Sequence, residues 1–587
     1  MMNSISTLCR RHRRLLLAAG YLLVLAFAVM YLRVTISVPP EGDDRLTLNK
    51  WLYDFERMPF WQYLLQDLAG RLRYFTLQEV RFFPFHYPSA FSLLFFGTLN
   101  SYRLYIIGVT AAADFLVSRV VARLTRSDAL ALGSFALALS AAPLFNEGMY
   151  SYYAVPQKAL FWAMAAWLCL LRGQDTGHRR WGLAAGVLAF VSCGTYEIGY
   201  MYTVLLVGLC VVLCRSLVNG LRRAVPALGG TAVALAFHLA SSRGSGATGN
   251  ALSLNFPQIG RVLVQQMAAS LPFLNPLLLG EDPGAITGGD KLWPLLLGLV
   301  VGLTLCFAVP CRRLSVRTLG GTAALGLALW AGPALLLACS ERYQQPEAIT
   351  WKWGYIPAAA SAAGLALLLA SLVVLLAKEL CRLPRWPDRL LRLALAALVA
   401  VGICANGAYT RACLRNHHAR NLDNYYFFAQ TIQAGLTDAV TSDDLILCNE
   451  NVWGGDTDAE GYFFSRFAGR ELHAQVMGAD EVPHDLAGSV YAYQTYRDYG
   501  GYDLAWCGRA QDDTAELLDT LQVYVQGALV PDNAVIKYTV VLPDGSEEAR
   551  AICLLDCDQT PRNARGDYIA TVEDSSIRNA KVMIWDG

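Results

Sequence analysis

Two adjacent carboxylates, Asp43 and Asp44, stand in the stretch Pro39-Pro40-Glu41-Gly42-Asp43-Asp44-Arg45, a few residues beyond the first long apolar run of the chain. A loop at the edge of a bilayer can be neutral, so an acidic pair there points to a site that handles protons, a divalent metal or a cationic transition state. Adjacent residues of an extended segment face opposite sides. One of the pair therefore faces a shared cavity, while the other pairs with Arg45 or caps the helix that begins nearby. Glu147, in Asn146-Glu147-Gly148-Met149-Tyr150-Ser151-Tyr152-Tyr153, follows the third apolar run as the pair follows the first. Two carboxyl-bearing loops from neighbouring helices can converge on one pocket. One carboxylate then takes the proton of an acceptor hydroxyl, and the other orients the acceptor or holds a divalent cation. Tyr150, Tyr152 and Tyr153 read individually as members of an interface belt. Glu197, in Gly194-Thr195-Tyr196-Glu197, is a third candidate, against the plainer reading of a turn carboxylate.

The elements that must position these groups are membrane helices. Of the 587 residues 55% are hydrophobic and 16% charged, far from the roughly 25% charged usage of soluble domains. Apolar runs long enough for a hydrocarbon core of about 30 Å fall near residues 15 to 36, 101 to 122, 127 to 145, 155 to 171, 181 to 195, 197 to 214, 224 to 241, 292 to 310, 318 to 339, 355 to 377 and 390 to 409. This predicts about eleven spans. Basic clusters fall on alternate connections, among them Arg10, Arg11, Arg13 and Arg14; Arg119, Arg123 and Arg126; Arg172, Arg179 and Arg180; Arg215, Arg222 and Arg223; Arg312, Arg313 and Arg317; and Lys378, Arg382, Arg385, Arg389 and Arg392. Those connections are read as cytoplasmic, which places the N-terminus inside and the long acid- and aromatic-rich loops outside. The first span reads as an uncleaved anchor, because its apolar character continues through Val29, Met30, Tyr31 and Leu32.

On the outer side, basic residues oppose the positive-inside tendency, so each needs a partner or a purpose. These are Arg81, in a segment that also carries His86 and Tyr87, together with Arg243, Arg342 and Lys352. A phosphate at headgroup level is a natural anionic partner for them, and pairing with Glu341, Glu347 or a phospholipid is the plainer alternative. Trp351 and Trp353 flank Lys352 as belt residues, or as rings that stack on a sugar or line an isoprenoid groove. Asp114 lies inside the second span, where pairing with a Ser, Thr or Arg of a neighbouring helix is the simpler reading.

Residues 1–409 are thus expected to form a transmembrane domain, with a first outer loop at 37–100. In that loop Trp51, Leu52, Phe55, Met58, Phe60, Leu64, Leu65 and Leu68 recur near helical spacing. The pattern predicts amphipathic helices lying on the membrane, with Trp51 and Trp61 at headgroup depth. An apolar stretch from Ile259 to Leu279 contains Pro272 and Pro276 and is expected to be interfacial or re-entrant. Residues 410–587 have the composition of a soluble α/β domain. A helix is expected over Tyr425 to Leu436 and strands over 445–447, 490–493, 535–542, 551–555 and 568–572, with a turn at Pro543-Asp544-Gly545. Cys448, Cys507, Cys553 and Cys557 lie in this domain, where one or two disulfides can form; a zinc site is the poorer reading.

With 48 basic and 47 acidic residues the net charge is +1, so nothing points to nucleic acid. There is no Walker A sequence, no GxGxxG after a strand and no His-Glu-x-x-His. The inner loops are short and hold no nucleotide-sugar-binding domain, so an enzyme of this plan takes its activated substrate from the membrane.

This arrangement resembles the GT-C superfamily of polytopic glycosyltransferases, which includes oligosaccharyltransferases, protein mannosyltransferases and lipid A aminoarabinose transferases. The resemblance is carried by Asp43 and Asp44 after the first span, the amphipathic first loop, Glu147 in the next outer loop and the C-terminal outer domain. Arg81-Phe82-Phe83-Pro84 also resembles an Arg-containing element late in the first loop of bacterial members. The resemblance implies a sugar donor on a polyprenyl phosphate or diphosphate, transferred outside the cytoplasm with inversion to a glycan, lipid or protein acceptor. Asp44 or Asp43 would be the base and Glu147 the second acid, while Arg81, Arg342 or Lys352 would stabilise the departing lipid phosphate. Some relatives use a divalent cation such as Mg or Mn and others do not, and the sequence leaves the cofactor open. A transporter or flippase is the alternative, and would place acids and broken helices near the bilayer midplane. A non-catalytic cell-envelope assembly protein is a further one.

Overall fold

The structure is a computed structural model that describes residues 13–40, 44–74, 87–96, 99–242, 252–272, 274–311, 313–346, 348–349, 354–382, 388–448, 457–476, 488–499, 502–511, 516–526, 533–562 and 566–584. Each of the eleven apolar runs carries a helix. In chain order these are α1 (Arg13–Leu32), then, after the first-loop helices α2 (Asp44–Arg57), α3 (Phe60–Tyr74) and α4 (Tyr87–Phe96), α5 (Leu99–Thr125), α6 (Asp128–Ser140), α7 (Val155–Thr176), α8 (Arg179–Thr195), α9 (Ile198–Cys214) and α10 (Leu217–Ser242). Next come α11 (Phe256–Ala269), α12 (Leu274–Leu279), α13 (Gly288–Leu303), α14 (Val316–Ala338), α15 (Glu341–Gln344), α16 (Ala358–Leu380) and α17 (Asp388–Gln433). Among the described residues 8 helices are long and apolar enough to cross a membrane, so this is a multi-pass membrane protein.

The expected count of about eleven is not confirmed: three of the eleven helices fall short of the length and apolarity of a span. Helices α6, α8 and α9 have 13, 17 and 17 residues, only about 20 to 26 Å of length at 1.5 Å per residue. Helix α6 is nevertheless the most enclosed of them, with buried residues from Leu130 to Ser140. A helix shielded by protein need not match the lipid in length. The stretch expected to be interfacial is two short helices, α11 and α12, broken around Pro272. At 14 residues α11 is about 21 Å long, too short to span.

The chain divides into two compact units, Met1–Val38 with Leu64–Ala419, and Pro39–Tyr63 with Arg420–Gly587. The first unit has an apolar core drawn from α1, α5 to α11, α13, α14, α16 and α17. The starts of α6, α13 and α14 are capped by side chains. Ser127 Oγ accepts from the Leu130 amide at 3.2 Å before α6, and Thr287 with Asp290 forms a capping box on α13.

In the second unit the strands are β1 (Leu445–Cys448), β2 (His473–Val476), β3 (Val490–Tyr499), β4 (Tyr502–Arg509), β5 (Leu518–Val525), β6 (Ala534–Val541), β7 (Glu547–Cys553), β8 (Asp558–Pro561) and β9 (Tyr568–Ile584). They form one sheet in the order β2-β1-β3-β4-β5-β9-β6-β7, with β8 on β9. Strand β1 runs parallel to β2 and β3, placing Ile446 opposite both Ala474 and Tyr491. The helix α18 (Thr457–Ala468) makes the β1 to β2 crossover. All five expected strands fall on this sheet. The Pro543-Asp544-Gly545 turn closes the β6–β7 hairpin, with Asp544 Oδ1 accepting from the Ser546 amide at 2.9 Å.

Three expectations change here. The helix expected at 425–436 is the last part of α17. The chain offers no proline or glycine between Gly407 and Gly435 to stop it. Gly435, at φ 92°, then ends the helix, with Gly435 N–H on the Ile432 carbonyl and Leu436 N–H on the Thr431 carbonyl. Second, Trp51 is not at a lipid surface. It is 1% exposed, and α2 belongs to the second unit, where it packs on α18. There Lys50 bonds Asp54 at 3.2 Å and lies 4.9 Å from the Tyr462 ring, and Arg466 pairs with Glu56 at 3.3 Å. Trp61, by contrast, is 68% exposed. Third, none of Cys448, Cys507, Cys553 and Cys557 is in a disulfide. Burial pushes the Cys507 thiol up to about 12 and Cys557 up to about 11, so both behave as small apolar groups.

Candidate functional site

The chemistry-bearing groups of the first unit gather around the loop between α6 and α7. Asn146 Oδ1 accepts from the Gly148 amide at 3.1 Å, closing a 3-10 turn that Glu147 opens. The Glu147 carbonyl then accepts from the Tyr150 and Ser151 amides at 3.0 and 2.7 Å. Gly148 has to be glycine, since a Cβ there would lie 2.6 Å from the Ile356 carbonyl. The next segment is strained. Tyr152, Tyr153 and Ala154 have φ of 57°, 54° and 53°, three successive left-handed residues with no glycine among them. Each costs about 1 to 2 kcal/mol, and such strain persists only where the surroundings impose it.

Those surroundings are identifiable. The Tyr153 amide donates to Tyr102 Oη at 2.8 Å, and Ser89 Oγ donates to the Tyr153 carbonyl at 3.1 Å. Lys158 Nζ, buried at the start of α7, donates to Ser89 Oγ at 3.1 Å. Gln157 Nε2 holds the Gly148 carbonyl at 2.5 Å. From the other side, Asn146 Nδ2 and Gln266 Nε2 both donate to the Tyr355 carbonyl, at 3.2 and 2.8 Å. The backbone around Glu147 is therefore fixed by α4, α5, α7, α11 and the lead into α16.

Buried charge extends outward from this loop. Arg103 is fully buried near the start of α5, donates to the Val38 carbonyl at 3.2 Å and lies 5.7 Å from the rings of Tyr102 and Tyr150. The Tyr150 ring meets His418 at 5.7 Å, His418 meets His417 at 4.7 Å, and His417 Nδ1 reaches Glu281 Oε1 at 3.0 Å. Beyond them Asp290 is held by Arg415 at 2.6 Å and Arg411 at 3.6 Å, and Arg411 also donates to the Met30 carbonyl at 3.0 Å. Buried ions survive in an apolar bundle only when paired, and breaking such a pair costs about 3 to 5 kcal/mol. Among these described residues, four cations, Arg103, Lys158, Arg411 and Arg415, stand against three carboxylates, Glu147, Glu281 and Asp290. That balance suits an anionic ligand.

Of the residues singled out in the sequence, Asp44 opens α2 in the second unit and is fully buried. Glu147 is half-buried in the loop just described. Glu197 precedes α9 and lines a separate cavity of about 410 Å³ with Tyr196, Tyr200, His238, Ser340 and Tyr343. Arg342 is exposed on α15, 5.8 Å from the Tyr343 ring. Tyr87 is the first residue of α4. Asp43, Arg81, His86, Arg243, Trp351 and Lys352 lie outside the described residues. Asp114 is buried in α5 but makes no hydrogen bond or ion pair among the described residues, against the expected interhelical pairing. No group of three His, Cys, Asp or Glu side chains among the described residues could hold a metal ion.

Arg103, Lys158, Arg411, Arg415, Asp290, His417 and His418 were not singled out by the sequence. The signal was available, since Arg103 and Lys158 open their spans and Arg411 and Arg415 follow theirs on the side where basic residues are unexpected.

No protein-family model matches the chain, and no curated protein matches it. Among solved structures it is similar to ArnT from Cupriavidus metallidurans, with 16% identity over 81% of this chain and 93% of that one, at a TM-score of 0.41. It is also similar to the archaeal oligosaccharyltransferase AglB from Archaeoglobus fulgidus, with 12% identity, 92% and 76% coverage and a TM-score of 0.37. Arabinosyltransferase EmbB from Mycobacterium smegmatis shares 14% identity over 96% of this chain and 62% of that one, at 0.32. Likenesses this loose carry no weight for the residues of the site.

Proposed function

We propose that the protein is an integral membrane glycosyltransferase that moves a sugar, a hexose or pentose, from a polyprenyl-phosphate carrier to an extracytoplasmic acceptor such as a cell-envelope glycan, lipid or protein. In this reading the N-terminus is cytoplasmic, and the Glu147 loop and the C-terminal unit are extracytoplasmic. The observation that supports it is the left-handed segment Tyr152 to Ala154 directly behind Glu147, braced by Tyr102, Ser89 and Lys158. Stored backbone strain of this kind clusters at sites where a side chain must be held for chemistry.

The mechanism assigned to these residues is an inverting displacement. Asp44, or Asp43 beside it, takes the proton of the acceptor hydroxyl as that oxygen attacks the anomeric carbon. The bond from that carbon to the phosphate oxygen breaks, its electron pair leaves with the lipid phosphate, and the new glycosidic bond forms on the opposite face. Glu147 orients the acceptor; were a divalent cation such as Mg or Mn to take part, Glu147 would be a ligand to it and the cation would offset charge on the phosphate. Arg103 and Lys158, with Arg81, Arg342 or Lys352, offset the charge that develops on the departing phosphate. His86, Tyr87, Arg243, Glu197 and Trp351 are assigned to binding substrate. The carrier is of the class named for two of the similar structures, an ArnT bound to undecaprenyl phosphate and AglB in complex with a dolichol-phosphate.

The test is a deletion strain complemented with wild type, Asp43→Asn, Asp44→Asn or Glu147→Gln at matched protein levels, with envelope polymers read by mass spectrometry. Loss of a general base lowers turnover about 100-fold or more, so the modified species should vanish in Asp44→Asn or Asp43→Asn and fall sharply in Glu147→Gln. Full modification in all three variants overturns the assignment.

A further inference from the structure

A second cationic site lies at the far ends of α13 and α17 from Asp290 and Arg411. Helix α13 ends in a π-helical segment, Thr304–Ala308, where the Val309 amide reaches back to the Thr304 carbonyl at 3.0 Å. In an α-helix the Cys306 carbonyl would accept from residue 310, but that residue is Pro310 and has no N–H. Arg392, in the first turns of α17, supplies the missing donors. Its Nε reaches the Cys306 carbonyl at 2.6 Å, its Nη2 donates to the same oxygen, and its guanidinium lies 4.7 Å from the Phe307 ring. Lys378 Nζ fastens the following loop through the Cys311 and Leu314 carbonyls, at 3.0 and 2.6 Å. The loop is thereby built, and beside it opens a cavity of about 500 Å³.

Among the described residues Arg313, Arg389 and Arg392 line this cavity, with Asp388 the one carboxylate. Arg392 is committed to the helix end. Arg313 and Arg389 are exposed and have no ion-pair partner among the described residues. Guanidinium groups left uncommitted around one opening match a phosphate, which they bind in bidentate fashion. The surface beside it is apolar and open: Leu303 is 49% exposed, Phe307 38%, Leu390 63% and Leu393 51%. An anion that also brings hydrocarbon fits both features.

We propose that this cavity binds the phosphate of an anionic phospholipid, with Arg313 and Arg389 on the headgroup and the acyl chains along Leu303, Phe307, Leu390 and Leu393. On the positive-inside reading this is the inner leaflet, remote from the transfer site, so the proposal stands or falls independently of the glycosyltransferase assignment. A free phosphate shares the headgroup chemistry, and the test separates the two.

The full-length protein in detergent is examined by native mass spectrometry with added phosphatidylglycerol, with phosphatidylcholine as the zwitterionic control and inorganic phosphate as competitor. Wild type should retain phosphatidylglycerol over phosphatidylcholine. The double variant Arg313→Gln/Arg389→Gln should lose about tenfold or more of that retention, whereas Arg313→Lys/Arg389→Lys should keep most of it. Displacement by equimolar inorganic phosphate would assign the cavity to a soluble phosphate and overturn the lipid. Equal retention of both lipids by wild type, or undiminished phosphatidylglycerol retention in the glutamine variant, overturns the proposal. A loss as large in the lysine variant as in the glutamine one, with a lowered melting temperature in both, marks a structural role and overturns it as well.

Discussion

Asp444 shows how a single carboxylate fixes local structure in the second unit, and it provides a pH test. Burial disfavours its charged form, but the Thr441 amide, the Thr441 hydroxyl and the Ser489 amide each donate to it at 2.7 Å. Together they hold its carboxyl below the usual carboxylate range. A depressed folded-state value means that Asp444 contributes its stability above the unfolded value of about 3.9 and loses it as pH falls through the lower folded value. Asp444→Ala should cost about 2 kcal/mol at pH 7, and the cost should shrink as acid protonates the wild-type side chain. Thermal unfolding of both proteins from pH 7 to pH 3 checks this, and a pH-independent difference would refute it. The acids around the candidate site were easier to see in the sequence than their partners. Asp44 and Glu147 stand beside obvious apolar runs, whereas Arg103 and Lys158 fall inside the ends of such runs, where hydropathy averages them away.

The element whose role was least legible is α2. The spacing of Trp51, Leu52 and Phe55 correctly predicts an amphipathic helix, because periodicity is a local property. What covers the apolar face is not local. A membrane and a protein surface make the same demand on one stripe of side chains, and here α18, some four hundred residues later in the chain, supplies the cover. The two alternatives differ in energy. A tryptophan at headgroup depth loses little on truncation. A buried one in a packed interface costs about 3 to 5 kcal/mol when cut to alanine. Trp51→Ala should therefore lower the unfolding midpoint of the second unit, followed by near-ultraviolet circular dichroism of the full protein, while Trp61→Ala, at an exposed position, should leave it unchanged. Equal effects at the two positions would return α2 to the membrane surface. Longer elements were plain from composition: all eleven apolar runs are helices. Strands β2, β4, β5 and β8 escaped notice: β2 and β8 have only four residues each, and in β4 and β5 the buried runs from Ala505 to Gly508 and from Val523 to Val525 replace the period-two alternation.

For the whole molecule the open quantity is parity. Eight long helices would put the N-terminus and the chain after α17 on the same side of the membrane, and eleven crossings would put them on opposite sides. Helices α8 and α9 form a pair of equal length, so counting both or neither leaves the parity unchanged. The decision rests on α6 alone. Its 13 residues are too short for bare lipid, but it is enclosed by other helices, and it separates Arg119, Arg123 and Arg126 from the Glu147 loop. Were α6 not to cross, those three arginines and the candidate site would share a side. The positive-inside rule and an extracytoplasmic site would then conflict. We expect α6 to cross. Phosphatase and fluorescent-protein fusions after Arg126, Ser151, Arg215 and Asp423 test it. Fluorescence is expected at Arg126 and Arg215, and phosphatase activity at Ser151 and Asp423. A cytoplasmic signal at Ser151 would move Glu147 to the same side as the basic loops, and an extracytoplasmic acceptor could no longer reach it. A cytoplasmic signal at Asp423 alone would spare Glu147 but place the sheet-bearing unit inside. That outcome would separate Asp44 from any extracytoplasmic reaction, because α2 belongs to that unit.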